Sequence, residues 1–571
     1  MGLRENFGSE VREAVSKALR EMGSADIQFP MESSDMADLA VPCFLMAKEM
    51  KSSPKDIAEK LSKAIVPTGS ISSVTSLNGY LNFMMDESRL VHETLEEIVG
   101  KGDEYGYLPK KNIKVNVEHT STNPTGPIHV GRARNPIIGD TLARCLSRCG
   151  YDVQTEYYVN DVGKQVVILT WGVNNIPKGS VDEGDRDKTD HKLVAYYRLA
   201  NKTMEEDPQV QEQISEMLRR FEAGDREVID SVRETTEAML NGLRETLADI
   251  NVTLDRYTWE SDFIADGSAK DVVEKLKASK YSGQTDDGAS YLDLKDFGIH
   301  GKNTNFVFTR SDGTTLYTTR DLAYHIDKFK RADRAVDVLG EDQKLGSKQL
   351  CSALEILGSD KVPEAMFYSF VSLPEGKMST RKGVVVYLDD LIDEAIVRAY
   401  EEIRSRRSDL SEEQMRSIAK KIGVGAVRYN IVRVQPEKQL IFKWDEALNF
   451  DGNSGPYLQY VYARACSMLK KAGSYTHDTD PSKLKDEFEI GLVRSLSKFS
   501  EVIRISGEER RIHTLPAYGH EVASAFNQFY AAVPVLVAGD SRDARLTLVE
   551  CTRTVLKNIL ECLGMEYPEE M

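Results

Sequence analysis

Two short stretches of this chain place residues of suitable type and spacing to handle a polyphosphate. The first is Thr122-Asn123-Pro124-Thr125-Gly126-Pro127-Ile128-His129-Val130-Gly131-Arg132. It is a turn dense in proline and glycine that opens a helix, and Gly131 in the first helical turn lets a flat ligand approach the backbone. His129 and Arg132, three apart, fall on one face at the positive end of that helix, which suits anionic oxygens. The plainer reading is a histidine that caps or packs the turn. The second stretch is Gly376-Lys377-Met378-Ser379-Thr380-Arg381-Lys382-Gly383, with three cations between glycines. Such a loop could close over phosphate and stabilise charge developing there; otherwise it is an ordinary exposed basic loop. The first turn carries neither GxGxxG nor GxxxxGK[ST], so the dinucleotide and P-loop readings fail.

The elements around these stretches set their place. Lys114-Val115-Asn116-Val117-Glu118 alternates as a strand and feeds the first turn. A helix follows with Ile138, Leu142, Leu146 and Cys149 on one face, and Val153 to Val159 makes the next strand. Strand, helix, strand in that order predicts a βαβ unit and a parallel α/β sheet. Strand-like Asn305-Phe306-Val307-Phe308 and Val336-Asp337-Val338-Leu339 resume the pattern, with a helix near 321–329 between them. The interval from about 180 to 305 reads as an insertion, helical and strongly acidic: residues 201–250 hold 6 Lys+Arg against 13 Asp+Glu, a local sum of −7. Residues 1–107 read as a small α+β domain. From 391 onward the sequence is helical, with Leu458, Val461, Ala465 and Leu469 as an apolar stripe. Residues 398–443 contain 11 Lys+Arg and 6 Asp+Glu, a sum of +5 that marks either phosphate contacts or a basic solvated face.

Composition narrows the class. A chain of 571 residues is long enough for about four folded units. Its 41% hydrophobic and 29% charged residues exclude disordered and fibrous classes. The net charge of −17 disfavours a protein that coats nucleic acid or anionic membrane by overall charge, so a polyanionic partner needs local basic patches. Seven cysteines without a CxxC pair predict a reduced protein with no structural zinc. The absence of an 18-residue apolar run predicts no membrane partner and a cytoplasmic location.

Taken together, HVGR after a first strand and KMSTR after a late one resemble the HIGH and KMSKS signatures of class I aminoacyl-tRNA synthetases. The surrounding residues resemble the arginyl-tRNA synthetase family: 117–127 (VEHTSTNPTGP), Tyr157-Tyr158-Val159-Asn160-Asp161, Leu316-Tyr317-Thr318-Thr319-Arg320-Asp321, 452–460 (GNSGPYLQY) and the terminal Pro568-Glu569-Glu570-Met571. The resemblance covers most of the chain in the right order. It implies a Rossmann-like parallel-sheet catalytic domain over 108–390 with the connective insertion at about 180–305. An N-terminal tRNA-contacting α+β domain over 1–107, a helical stem-contact region over 391–450 and an all-helical anticodon-binding domain over 451–571 complete it. The implied reaction joins L-arginine to tRNA(Arg) through an arginyl-adenylate, with ATP as substrate, Mg²⁺ arriving with the nucleotide, and a monomer doing the work.

The resemblance also assigns roles. A desolvated guanidinium requires carboxylates that meet it as a fork. Glu118 and Asp321 match the acids that bind the substrate side chain, Tyr317 a hydrogen-bonding wall, and Asn123 and Gln343 the groups that hold the substrate's amino and carboxylate ends. ATP falls to Thr122, Pro124, Gly126, His129, Gly131 and Lys377, and catalysis to His129, Gly131, Arg132, Lys377, Met378, Ser379, Arg381 and Lys382. Tyr457, Tyr460, Tyr530 and Met571 match the anticodon side, where aromatic faces stack on splayed bases, and Tyr80 and Asn82 match a segment touching the tRNA elbow.

Two departures stand out. Arg132 replaces the second histidine of HIGH, and Thr380 stands where the second KMSKS lysine is expected. Relatives lacking that lysine often carry one just before HIGH, where this chain has Gly126, so Arg132, Arg381 or Lys382 is expected to supply the cation. Two further readings compete: a tRNA-binding paralogue with a decayed site, which would bind tRNA without binding arginine, and another class I nucleotidyltransferase, which would have no affinity for tRNA.

Overall fold

The computed structural model describes residues 2–24, 27–32, 34, 36–300, 304–372 and 386–571. Its strands, in chain order, are β1 (Leu39–Pro42), β2 (Ile71–Leu77), β3 (Tyr80–Met85), β4 (Lys114–Glu118), β5 (Asp152–Val159), β6 (Arg256–Trp259), β7 (Ser282–Gln284), β8 (Ser290–Asp293), β9 (Asn305–Val307), β10 (Arg334–Gly340), β11 (Glu364–Tyr368), β12 (Val371–Ser372) and β13 (Leu440–Ile441). β1, β3 and β2 form an antiparallel N-terminal sheet. Asn78 and Gly79, both at positive φ, make the tight turn between β2 and β3, the conformation a two-residue hairpin requires.

The central sheet has the order β11-β10-β4-β5-β6, parallel throughout. The chain goes outward from β4 to β6, then crosses to β10 on the other side of β4. The carboxyl ends of β4 and β10 therefore flank the switch point at which ligands bind in open α/β sheets. The helix Arg134–Arg148 crosses at this point with nearly every side chain buried.

Two expectations are corrected here. The interval 180–305 is not a single insertion, because Arg256–Trp259 forms the third strand out from the switch point. Four residues between acidic helical and loop segments are too short for a period-2 signal, so the strand had no legible pattern. Likewise 305–307 pairs antiparallel with β8 in a separate three-stranded sheet and does not resume the central one.

The apolar stripe of the helix Gly455–Ala472 is buried as its spacing dictates, with Leu458, Val461 and Ala465 fully enclosed. The C-terminal helices pack directly onto the catalytic unit. Arg428, fully buried on the helix Glu412–Val432, donates to the carbonyls of Leu563 at 2.6 Å and Ile250 at 2.5 Å and pairs with Asp140. One guanidinium thus ties the switch-point helix, the insertion and the last helix together. No helix among the described residues is long and apolar enough to cross a membrane.

Candidate active site

The floor of the crevice is a row of acids. Strand register places Asp337 of β10, Glu118 of β4 and Glu156 of β5 side by side on three adjacent strands. Side chains of paired parallel strands share a face, and three bare carboxylates there would repel one another in a low-dielectric setting. The helix Tyr317–Arg331 covers the row and supplies the cations. Lys328 Nζ donates to Glu118 Oε2 at 2.6 Å and to Asp337 Oδ1 at 2.8 Å. Arg331 meets Glu156 as a fork at 3.1 and 3.0 Å, and His325 Nε2 lies 2.9 Å from Asp337 Oδ2.

Helical periodicity then builds a well. Tyr317, Asp321, His325 and Lys328 are spaced four, four and three apart, so they descend one helix face. Tyr317 is 69% exposed at the mouth and Lys328 is sealed at the bottom. Asp321, with its side chain 38% exposed, lies 3.1 Å from His325 Nδ1. Glu118 faces this well with one oxygen on Lys328 and the other accepting from Ser121 Oγ at 3.1 Å.

Burial shapes the charges. It pushes the Glu118 carboxyl up, with Lys328 pulling it back and Asp337 adding to the rise. Asp337 is held well below the usual carboxylate range, Lys328 and His325 outweighing its burial. For His325, burial and Lys328 oppose the charged form, but Asp337 and Asp321 outweigh them and lift the imidazole to about 10. A folded value above the unfolded one means the protonated ring adds stability that is complete below about pH 6.5 and is lost as the pH rises through about 10. Hydrogen exchange of the Tyr317–Arg331 helix amides is therefore expected to lose protection between those limits in wild type, beyond the intrinsic rise in exchange rate, and a flat H325Q profile is the comparison that checks it.

The turn after β4 is held under strain. Thr120 has φ +74, a left-handed conformation that costs a β-branched residue roughly 1–3 kcal/mol. Asn135, on the crossing helix, accepts from Thr120 N at 2.6 Å and donates to the Val338 carbonyl at 3.0 Å, spanning both lips of the switch point. His119 lies fully buried against Gly139, where a Cβ would come within 2.3 Å of its ring carbon, and burial lowers its imidazole to about 4. Burial thus favours the neutral ring there.

His129 caps the short 130–132 helix, its Nδ1 accepting from Gly131 N at 3.1 Å, as the plainer reading of this turn has it. The same backbone is bridged from outside: His129 pairs with Tyr387, Val130 N donates to Val386 O at 3.0 Å and Leu388 N to Ile128 O at 2.8 Å. Arg132 is exposed, its guanidinium 5.9 Å from the centre of the Phe370 ring. Phe370 and Tyr387 stand just before and after residues 373–385, so both described flanks of that stretch meet the His129 turn. Lys377, Met378, Ser379, Arg381 and Lys382 themselves lie outside the described residues, and with them Thr380. Thr122 is buried, its carbonyl accepting from Tyr157 OH at 2.6 Å, and Pro124 is buried beside it. Gly126 faces Val194 of the insertion, where a Cβ would come within 3.0 Å. Asn123 is exposed and donates to Gln165 Oε1 at 3.2 Å, and Gln343 is exposed immediately beyond β10.

Sequence reading missed Lys328, His325, Asp337 and Asn135. The strand alternation that pairs Asp337 with Glu118, together with the heptad-like spacing below Tyr317, was the signal that could have found the first three. Two groups among the described residues bring a histidine and carboxylates close enough for a metal ion, Glu118/His325/Asp337 and Asp190/His191/Asp389. Each already holds an ammonium, Lys328 in the first and Lys188, 2.9 Å from Asp389, in the second.

In the C-terminal helical region, Tyr460, Tyr530 and Met571 line one groove of about 1190 Å³ together with Arg407, Arg464 and Arg553. The Arg464 guanidinium lies 4.3 Å from the centre of the Tyr530 ring and 5.2 Å from that of Tyr460. Tyr457 is not in this group. It is 9% exposed and its hydroxyl accepts from Asn527 at 2.9 Å, so base stacking by Tyr457 is corrected to a packing role. The basic surplus over 398–443 is also largely consumed internally, Arg406 on Glu402, Arg416 on Glu412 and Arg433 on Glu446 being examples. In the N-terminal sheet Tyr80 packs edge-on against exposed Phe44 at 5.2 Å, whereas Asn82 is buried mid-strand between Ala40 and Thr75 and does not reach the surface patch.

Comparison with known proteins matches this geometry to a family. Residues 94–444 match the model for class I (R) tRNA synthetase catalytic domains, 458–571 the DALR anticodon-binding domain and 9–85 the arginyl tRNA synthetase N-terminal domain. An arginine–tRNA ligase of Methanocella arvoryzae is 45% identical, with 100% of this chain and 99% of that protein covered. One from Methanocaldococcus jannaschii is 41% identical over 100% of both chains. The solved arginyl-tRNA synthetase of Thermus thermophilus superposes with a TM-score of 0.82 at 28% identity, covering 99% of this chain and 100% of that one. Crevice, helical C-terminal domain and whole-length likeness agree: the chain belongs to the arginyl-tRNA synthetase family.

Proposed function

We propose that the well between β4, β10 and the Tyr317–Arg331 helix is where this arginine–tRNA ligase takes its amino acid. The observation that carries the reading is the arrangement of Glu118, Asp321 and Tyr317 around one descending face, open at Tyr317 and closed at Lys328. A guanidinium entering there meets carboxylate oxygens from two directions, the fork recognition that a planar cation favours. Asn123 and Gln343, on the turns beyond β4 and β10, hold the substrate's amino and carboxylate ends at the switch point.

MgATP is the second substrate. His129 N-caps the turn that opens onto it, and the exposed Arg132 offers a permanent charge at the positive end of the crossing helix. The arginine carboxylate attacks the α-phosphorus and pyrophosphate leaves. The terminal ribose hydroxyl of tRNA(Arg) then attacks the adenylate carbonyl and AMP leaves. Phosphoryl chemistry of this kind needs positioning and charge neutralisation more than proton transfer. Arg132, Arg381 and Lys382 are the candidates for the cation that Thr380 does not provide.

The domains divide the recognition of tRNA: 1–107 with Tyr80 at the elbow, 391–450 at the stem, and 451–571 with Tyr460, Tyr530 and Met571 at the anticodon. The same reading takes the enzyme to be a cytoplasmic monomer. Base stacking is worth about 1–3 kcal/mol per aromatic. Y530A is expected to weaken tRNA(Arg) binding by roughly 5- to 150-fold on that basis while leaving the KM for arginine unchanged, as filter binding and steady-state exchange would show.

Arginine-dependent ATP–pyrophosphate exchange, with and without tRNA(Arg) and with lysine and citrulline as controls, tests the whole reading. Exchange with arginine alone among the amino acids supports it. Binding of tRNA without any exchange would replace it with a decayed paralogue.

A further inference from the structure

The row Asp337, Glu118, Glu156 raises a question that the reaction does not answer: why a site for a cation contains a cation of its own. Lys328 is completely enclosed, its ammonium 2.6 Å from Glu118 and 2.8 Å from Asp337 and 4.3 Å from the centre of the Tyr324 ring. A buried lysine carries a large desolvation cost unless paired. Here the pairing falls on a residue on the floor of a ligand crevice.

We propose that Lys328 is a positioning residue for the substrate guanidinium: it anchors one oxygen of Glu118 from beneath and leaves the other, beside Ser121, as the edge on which the substrate docks. The inference rests on the assignment of Glu118 to arginine binding.

Charge counting supports it. The well holds Glu118, Asp321 and Asp337 as acids and Lys328 and protonated His325 as bases, so the balance is one negative charge for one incoming guanidinium. Glu156 stands outside this count because Arg331 neutralises it as a fork. The groups facing Glu118 are Lys328, His325 and Tyr324 on the covering helix, Asp337 on β10, and Glu156 and Tyr158 on β5. Without Lys328, burial and Asp337 would push the Glu118 carboxyl toward its protonated form against the remaining pull of His325. A neutral, unanchored Glu118 presents a weaker and less directed acceptor to a guanidinium.

The test is K328M in tRNA-dependent ATP–pyrophosphate exchange, with arginine and ATP varied separately. The KM for arginine is expected to rise at least 10-fold, with the KM for ATP and kcat within about twofold of wild type. The KM for arginine in K328M should also fall as the pH is raised and Glu118 ionises, relative to a flatter wild-type profile. Loss of fold would not produce that pH dependence. The double variant K328M/D337N removes the like charge along with the lysine and guards against misfolding. Its KM for arginine should lie above wild type and below K328M, or, if K328M does not fold, at least threefold above wild type.

An arginine KM within twofold of wild type in either folded variant would overturn the proposal, as would arginine and ATP constants rising together. These outcomes differ from failure of the functional reading, which would show as no arginine-dependent exchange by the wild-type enzyme.

Discussion

Glutamine in place of Glu118 is expected to lower kcat/KM for arginine by about 10²–10⁴, the equivalent of roughly 3–5 kcal/mol for removing one partner of a desolvated charged contact. The amide preserves the shape of the side chain and its contact with Ser121, but it gives the guanidinium no charge and leaves Lys328 with Asp337 as its remaining carboxylate. The defect should therefore concentrate in the arginine constant, with the KM for ATP near wild type, because His129 and Arg132 lie on the next turn and not on Glu118. Steady-state exchange with each substrate varied in turn measures this. An E118Q enzyme within threefold of wild type for arginine would remove Glu118 from the substrate site. The same variant bears on selectivity: a pocket built from buried acids leaves them unpaired with a neutral competitor, so citrulline discrimination should fall in E118Q by more than lysine discrimination does.

Methionine in place of Arg428 is expected to destabilise the protein by about 3–5 kcal/mol in its first unfolding transition. The side chain is completely buried, donates to Leu563 and Ile250 carbonyls and pairs with Asp140, which Arg144 also contacts at 2.8 Å. Methionine fills much of the same space, so the loss comes from two orphaned carbonyls and a weakened acid pair and not from a cavity. Burial lowers the Arg428 guanidinium and Asp140 counteracts it, so the pair is best removed together. R428M/D140N is expected to recover part of the loss. Guanidinium-chloride unfolding followed by intrinsic fluorescence reads both effects, and a loss below about 1 kcal/mol in R428M would show that the three bodies hold together without it. Because this arginine joins the insertion to the last helix, its loss should also reduce aminoacylation more than arginine activation, by loosening the anticodon domain relative to the crevice.

The parts of the molecule differ in how legible they were. The turn of 122–132 follows its strand and opens its helix where the residues place it, because proline, glycine and a capping histidine act within a few residues of themselves. The stripe of Leu458, Val461, Ala465 and Leu469 buries as its period requires. Likeness to a family points to Glu118, Tyr317 and Asp321, and the structure brings Tyr317 and Asp321 onto the helix that covers Glu118. The same likeness points to Asn82 and Tyr457, yet both are buried within their own domains. A motif match names a position and says nothing of which way the side chain turns.

The sequence by itself determined the local grammar of this protein: the βαβ start, the helical second half, the types of residue available to meet a guanidinium and a polyphosphate. Only the tertiary structure decided that Asp337, Glu118 and Glu156 stand in one row, that Lys328 closes the row from 210 residues beyond Glu118, and that Arg256–Trp259 belongs to the central sheet. The physical reason is range. Caps, turns and periodicity are set by neighbours along the chain. Strand register and the pairing of buried charges depend on segments far apart in sequence, whose ordering is stabilised only once all of them have met.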